Sequence, residues 1–598
     1  MSRLNPASVL EEGAVKRNPK LILALTFIAA CSLVLTGCST MSAGPPMLQA
    51  STTATITSTA FTITSSSVPF AVESTPYSAS LTASGGEPPY QWSIVSGALP
   101  AGLQLGASTG TLSGSATQAG AFPFSVHVTD AAAHSAQRNL TLQVSAANLC
   151  GPPTYNCSRT DFNVVQVPSS APNVGNLAGA NTIVTDPDFG NPIVRITDWN
   201  TDPGMPANGR QWISAASASS NENIWNLNST LFIVQAIGAA GYPFSFNPTT
   251  MQASRLYVTS HPSTGGLRLS DGGFWSRSDP NVLYTSSGTV ISKYDFSDRV
   301  NTPSPQAVYD FTSSPHCLPT GFQATWFARG GVSAGDTVFG MVFSDRGAQG
   351  TGVYAVAYKP GSGCTLLNTQ TGQVTGDWGT TGTIGIPDRW TIHNSKVSLD
   401  GDWMMVSPQN CMSSSCSAGP YFWQIGTTTV NSCGQGKRCS GHATEGYSHF
   451  INNPNTGDQV SRLFSDPSVV AELTPILPPG LQTPLDEHPS WNNADPADSL
   501  PFFLSFWSPI TPFPAPWYNE ITGVAVEGSG RVWRFAHNFI TTKSQIFCTQ
   551  YGIGSVSQDG RFFLWSSDWM GTLGSQSGAQ ACTVGQDCRG DVFVVELR

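Results

Sequence analysis

Charge is what this chain has least of. Asp, Glu, Lys and Arg make up 11% of its 598 residues, against about a quarter in an ordinary soluble domain. Long surface helices need charged faces, so a mainly helical protein is excluded. Lys and Arg form no run after residue 20, and the formal net charge is −10. That excludes nucleic-acid binding by phosphate neutralisation, which needs clustered cations. Also missing are Cys-x-x-Cys, the P-loop, Gly-x-Gly-x-x-Gly and His-Glu-x-x-His. A zinc ribbon, an NTPase, a dinucleotide fold and a zincin therefore have no support. What is plentiful is Gly (59) and Pro (43), with aromatics at 10% and hydrophobic residues at 40%. This is a turn-rich β composition with enough apolar side chains for a sizeable core, and too many aromatics for disorder. The length suits two or three domains, or one large repeat array.

The few cations that do cluster sit at the N-terminus. Lys16, Arg17 and Lys20 precede the apolar run "LILALTFIAACSLVL", Leu21 to Leu35. A positive segment followed by so short an apolar one reads as a signal peptide rather than a spanning helix. It ends in "LTGC", Leu35 to Cys38, which resembles the lipobox of bacterial lipoproteins. The resemblance implies that residues 1–37 are a signal peptide and that Cys38 is acylated. The chain would then be exported and lipid-anchored to the cell envelope, periplasmic or surface-exposed. Ser39 after the Cys points, by the same resemblance, to the outer membrane where the cell has one. The alternatives are a plain signal peptide or an uncleaved anchor. Residues 38–60 are a Ser/Thr/Ala-rich flexible tether.

Export permits disulfides. Of the thirteen Cys, Cys31 leaves with the signal and Cys38 takes the lipid. Most of the rest fall in close pairs: Cys150 with Cys157, Cys411 with Cys416, Cys433 with Cys439, and Cys582 with Cys588. Cys317 and Cys364 can form a longer pair, which leaves Cys548. A metal site built from the pairs around Cys411 and Cys433 is the alternative to stapled loops.

Residues 61–145 alternate short apolar runs with Gly and Pro. Phe122, Phe124, Val126 and Val128 alternate with small or polar residues, the pattern of a half-buried strand. "LPAGLQL", "TGTLSG" and "AFPFSVHVTD" come in that order and resemble the Ig-like module of many bacterial surface proteins. That implies a β-sandwich serving as a spacer or an adhesive unit.

The rest, residues 146–598, is self-similar. "VSQDGRFFLWS" (Val556 to Ser566) lies over "VSLDGDWMMVS" (Val397 to Ser407) without a gap. Asp-Gly makes a tight turn, and the apolar run after it is a strand buried on both faces. "WNLNSTLFIVQ" from Trp225, "WSRSDPNVLYTSS" from Trp275 and "HPSWNNADPADSLPFFLSFW" from His488 are degenerate copies. Weaker ones lie near Ala324–Ser344 and His449–Phe464. About seven units of roughly fifty residues predict a seven-bladed β-propeller; a β-sandwich array is the alternative. "NPIVRITDWN" at Asn191 to Asn200 is expected to pair with "DVFVVEL" at Asp591 to Leu597 and close the ring. The Ser-x-Asp-Gly strands resemble those of TolB-like and oligogalacturonate-lyase-like propellers.

In a propeller the residues upstream of each such turn face a shared funnel. They include Arg389, His393, His449, His488 and Gln550. Imidazoles from several blades can hold a divalent metal, and the lyase resemblance implies a metal set of His393, His449, His488 and Gln550. A metal-assisted lyase polarises a uronate carboxylate while a base removes the neighbouring proton. The alternative is that these His cap turns. Arg389 and His442 are candidates for binding an acidic ligand, although Arg389 can equally pair with Asp388 or Asp400. Trp390 and Trp491, among other Trp such as Trp326, Trp517 and Trp569, either stack on sugar rings or pack blades together. Asp486 and Glu487 are adjacent and face opposite sides of a strand, so they make no paired-carboxylate site. "GVSAG" (Gly331 to Gly335) and "DFG" (Asp188 to Gly190) lack the context of a nucleophile elbow or a kinase. The expectation is an all-β chain, an Ig-like β-sandwich followed by a seven-bladed β-propeller, binding a polysaccharide or an envelope protein. A metal-assisted polysaccharide lyase and a purely structural envelope scaffold are the alternatives.

Overall fold

The Ser-x-Asp-Gly pattern repeats because it staples one kind of turn. Ser557 Oγ donates to Asp559 Oδ1 (2.6 Å) and accepts the N–H of Phe562 (3.0 Å). Ser557 N–H donates to Phe562 O at 2.8 Å. Asp559 Oδ1 also accepts the N–H of Arg561 at 3.1 Å. Gly560 takes φ +71°, a conformation open to glycine at no steric cost. Ser398, Asp400 and Gly401 do the same three blades earlier: Trp403 N–H reaches Ser398 Oγ at 2.9 Å, and Gly401 has φ +82°. In the degenerate copies the chemistry survives a change of residue. Asn226 Oδ1 accepts the N–H of Leu231 at 2.8 Å, and Ser333 Oγ accepts that of Val338 at 2.9 Å. Ser333 is the Ser of "GVSAG", so that motif is a blade turn.

Each turn joins the innermost strand of a sheet to the second. The computed structural model describes residues 61–598 less short segments, the longer being 146–149, 173–178, 203–211, 215–222, 258–266, 319–326, 345–351, 412–419, 482–488, 506–514, 541–552 and 574–588. The signal peptide, Cys38 and the tether lie outside the described residues. Among those residues no helix is long and apolar enough to cross a membrane.

Residues 61–145 form a β-sandwich. One sheet orders Ala71–Val72, Ser135–Ser145, Gly120–Thr129 and Gln91–Gly97; the other orders Pro76–Ser80, Thr111–Ser115 and Leu103–Leu105. Trp92, Leu112, Phe124, Val126, Val128, Leu140 and Leu142 fill the space between them.

Beyond it come six antiparallel sheets, one of which has ten strands and divides into two blades at the single pair Gly352 and Ile392, giving the seven blades of a β-propeller. Blade one holds Trp212–Ser214, Leu231–Ala236, Ala240–Asn247 and Gln252–Arg255. Blade two holds Phe274–Trp275, Val282–Ser287, Val290–Asp295 and Gln306–Asp310. Blade three begins with Phe327–Val332 and Phe339–Ser344, blade four with Trp390–Val397 and Trp403–Cys411, and blade five with Ala443–Glu445 and His449–Asn455. Blade six holds Phe502–Ser505, Glu520–Val524 and Val532–His537; Ser490 bridges to its inner edge, and Arg159 occupies the fourth-strand position beside Arg534. Blade seven runs Gly554–Val556, Phe562–Ser567 and Asp591–Glu596, then takes Pro192–Arg195 and Ile183–Thr185 from the other end of the chain. The ring thus closes by the strand pair expected from the sequence.

Trp side chains sew neighbouring blades together. Trp225 Nε1 donates to Ser555 O (3.1 Å), and Trp275 Nε1 to Ile224 O (2.9 Å). Cys150–Cys157, Cys317–Cys364 and Cys433–Cys439 are disulfides. Cys416, Cys548, Cys582 and Cys588 lie outside the described residues, as does the side chain of Cys411.

Candidate functional site

Every inner strand of a propeller ends in its turn near the central axis, so the last residues before each turn converge. Here they are polar. Asn223 of blade one, Arg277 of blade two, Thr444 and Glu445 of blade five, Ser490 to Asn492 of blade six and Ser555 of blade seven line one narrow pocket, water-sized in its free space. Arg277 is the hub. Its Nη1 donates to Asn492 Oδ1 (3.1 Å), its Nε to Val332 O (3.2 Å), and its backbone N–H to Asp336 Oδ1 (2.8 Å). Asn492 Nδ2 passes the chain on to Asn223 Oδ1 (3.1 Å), and Asn223 Nδ2 to Trp275 O (3.2 Å). Ser490 Oγ accepts the N–H of Val556, and Thr444 Oγ1 that of Trp491. Lys396 of blade four lies 4.0 Å from Glu445 Oε2. Burial lowers the pKa of Arg277, opposed by Glu445, Tyr447 and Asp336; a guanidinium remains charged through such a shift. At the turn end one guanidinium and a relay of amides tie the inner strands of blades one, two and six together.

The turns themselves are linked around the ring. Ala334 N–H donates to Leu399 O, and Leu399 N–H to Gly446 O, each at 2.8 Å. Asp336, from the turn of blade three, accepts Ser278 Oγ–H (2.6 Å) and Tyr284 Oη–H (3.2 Å) of blade two. Asp498 does the same for blade five, accepting the N–H groups of Tyr447 (2.7 Å), Ser448 (2.8 Å) and His449 (3.0 Å). Burial pushes the Asp498 carboxyl up, but the hydrogen bonds from the His449 ring and these backbone donors outweigh it and hold it below its ordinary value.

That contact corrects the expected position of His449. It lies after its turn, at the head of the second strand, with Nδ1 3.2 Å from Asp498 Oδ2 and 2.8 Å from Ser448 Oγ. His393 is on the inner strand of blade four, its side chain outside the described residues. Arg389, His442, His488 and Gln550 lie outside them altogether. Trp390 is fully buried and stacked on Tyr421, centroids 4.7 Å apart and planes 7° from parallel. Trp491 is buried with Nε1–H donating to Leu500 O at 2.8 Å. Trp517 and Trp569 are buried too. The packing alternative is the one these Trp take, and neither Trp390 nor Trp491 presents a free ring face to a sugar.

The throat residues Arg277, Asn223, Glu445 and Asn492 were not among the sequence candidates. Their one signal is a polar residue closing an otherwise apolar inner strand.

The family described as "Putative Ig domain" matches residues 46–145, starting within the stretch read as tether. No curated protein matches the chain. Among solved structures, a "putative alpha-galactosidase" of Bacteroides fragilis is 28% identical over 15% of this chain and 18% of that one, with a TM-score of 0.12. The chain thus spans less than a fifth of that protein's length. The WD40 repeats of RRP9 are 10% identical over 65% of this chain and 98% of that one, TM-score 0.32. A quinonprotein alcohol dehydrogenase-like protein of Bacteroides thetaiotaomicron is 8% identical over 66% and 90%, TM-score 0.23.

Proposed function

We propose that this chain is an exported lipoprotein of the cell envelope, anchored through Cys38, whose propeller recognises a polysaccharide or an envelope protein. The observation that carries the binding reading is the Arg277–Asn492–Asn223 relay at the turn end of the inner strands. Fixed donors and acceptors converging from several blades suit the polar groups of a ligand. The three disulfides support export, since such bonds persist in oxidising compartments. The Ser-x-Asp-Gly turns resemble those of TolB-like and oligogalacturonate-lyase-like propellers.

The test uses the full chain in detergent, offered acidic and neutral polysaccharides and envelope extracts. Saturable binding, weakened about tenfold (about 1.4 kcal/mol) by Arg389→Ala at unchanged melting temperature, is the expected result. Unsaturated sugar products seen by ultraviolet absorbance, and lost in His393→Ala, would replace the binder with the lyase. Binding to none of these overturns the reading. Release of Cys38→Ser from the membrane fraction checks the anchor separately.

A further inference from the structure

The hairpin that closes the ring carries a second polar cluster. Its loop, "DPDFG" from Asp186 to Gly190, joins Ile183–Thr185 to Pro192–Arg195 and meets the last residue of the blade-six strand Val532–His537. There Asp186, Asp188 and His537 each offer one ligand atom, all within 4.8 Å of one another. We propose that these three residues hold a divalent cation of the manganese, iron or zinc class. None of them lines the throat, and the site is independent of the function proposed above.

Three observations converge. First, spacing: His537 Nε2 lies 2.9 Å from Asp188 Oδ2. Two adjacent ligands at about 2.1 Å from an octahedral ion stand about 3 Å apart. Second, burial: the His537 side chain is wholly buried, and its Nδ1 is a buried atom with no hydrogen-bond partner among the described residues. The ring's polar contact is therefore made through Nε2, on the side of the carboxylates. Asp186 is also buried, its Oδ2 accepting the His537 N–H at 2.7 Å and its Oδ1 the N–H groups of Asp188 and Phe189 at 3.0 Å each, which fixes the carboxylate in place beside the ring. Asp188 has a 37% exposed side chain, which leaves a solvent path for entry and for the waters that would complete the coordination sphere.

Third, charge. Four carboxylates (Asp161, Asp186, Asp188 and Glu520) face two guanidiniums here. Arg534 is bidentate to Glu520 (2.8 and 2.7 Å) and reaches Asp161 (2.9 Å); Arg159 pairs with Asp161 (2.9 Å). With a neutral imidazole the cluster keeps two negative charges, which one divalent ion balances. Phe189, edge-on to the His537 ring at 5.1 Å, with Arg159 and Arg534 over its face, separates these guanidiniums from the imidazole. Imidazole with two carboxylates suits manganese, iron or zinc better than calcium or magnesium, which prefer oxygen alone. An ion here would bind the closing hairpin to blade six, so its binding energy would stabilise the ring.

The competing occupant is a proton shared between His537 and Asp188. The experiment is metal uptake and thermal melting of the full chain in detergent, stripped with a chelator and then dialysed against Mn²⁺ or Zn²⁺. One equivalent bound per chain and a raised melting temperature are expected. Asp188→Asn keeps the size and a hydrogen-bond acceptor, and this half-exposed position tolerates it. It should lose the ion and the metal-induced shift while melting like the stripped wild type. His537→Gln should do the same if it folds. A wild type that takes up no ion, or an Asp188→Asn chain that takes it up equally, overturns the proposal.

Discussion

Ile193 and Val595, from opposite ends of the propeller sequence, are register partners in one antiparallel ladder. Two residues along, Arg195 pairs with Phe593 in the same ladder, and its guanidinium lies on Asp591, which Arg589 also contacts at 2.6 Å. Arg195 and Asp591 have side chains 5% and 0% exposed. The seam that closes the ring therefore contains a buried ion cluster. Taking the shared carboxylate from such a cluster leaves two guanidiniums facing each other in low dielectric. Asp591→Asn is expected to destabilise the propeller by about 3 kcal/mol, read as a lower urea midpoint in tryptophan fluorescence. An unchanged midpoint would mean that the seam does not limit stability.

The stapled turn makes a graded prediction. Ser557→Ala removes one acceptor from the Phe562 N–H and one donor to Asp559, and should cost about 1 kcal/mol. Gly560→Ala should cost about 2 kcal/mol or more. Its φ is +71°, and the added Cβ would stand 2.7 Å from Tyr155 Oη, whose hydroxyl donates to Gly560 O at 2.8 Å. Thermal melts of the two variants should rank them in that order. The reverse ranking would mean that Tyr155 moves aside freely.

The blades were legible in the sequence because their information is local. Ser557 to Phe562 and Ser398 to Trp403 close within one turn, so the pattern shows at fixed spacing even where Asn226 replaces Ser. The closing pair was legible for another reason: an apolar strand at each end of a repeat array lacks a neighbour except the other. The throat was not legible, because its contacts are long-range and made by ordinary polar residues. Asn492 and Asn223 meet across 269 positions, and nothing in "SWNN" separates a relay amide from a turn amide. His449 was misplaced because the turn of blade five has no Asp-Gly of its own. Its carboxylate, Asp498, arrives from 49 residues away, so the turn read from the local pattern fell after His449 instead of before it.

Trp390 and Trp491 separate packing from recognition. Both are buried, Trp390 against Tyr421 and Trp491 among Ile451, Phe502, Leu504 and Trp517. Trp491→Ala should lose about 3–5 kcal/mol of stability, as large buried aromatics do when truncated. A variant of wild-type melting temperature would mean that the Trp491 ring does not carry the packing between blades five and six.

Asp130 makes the Ig-like sandwich sensitive to acid. Its Oδ1 accepts the N–H groups of Ala132 (3.0 Å) and His134 (2.8 Å), and its Oδ2 accepts that of Glu87 (2.8 Å) and faces His134 Nδ1 (2.9 Å). Burial works to raise this carboxyl, yet the His134 ring and the backbone donors win and bring it down to about 2. A carboxyl lowered by folding lends stability that is complete above its unfolded value, about 4, and lost as the pH falls toward the folded one. His134 is shifted up, first by its hydrogen bond to Asp130. Its share is complete below about 6.5 and is lost as the pH rises through its folded value. The sandwich should therefore be most stable between about pH 4 and 6.5. Asp130→Asn should flatten both edges, and His134→Ala the alkaline edge most. Hydrogen exchange at residues 61–145 of the full chain, followed against pH, checks this. An acid edge that survives Asp130→Asn would place the sensitive group elsewhere.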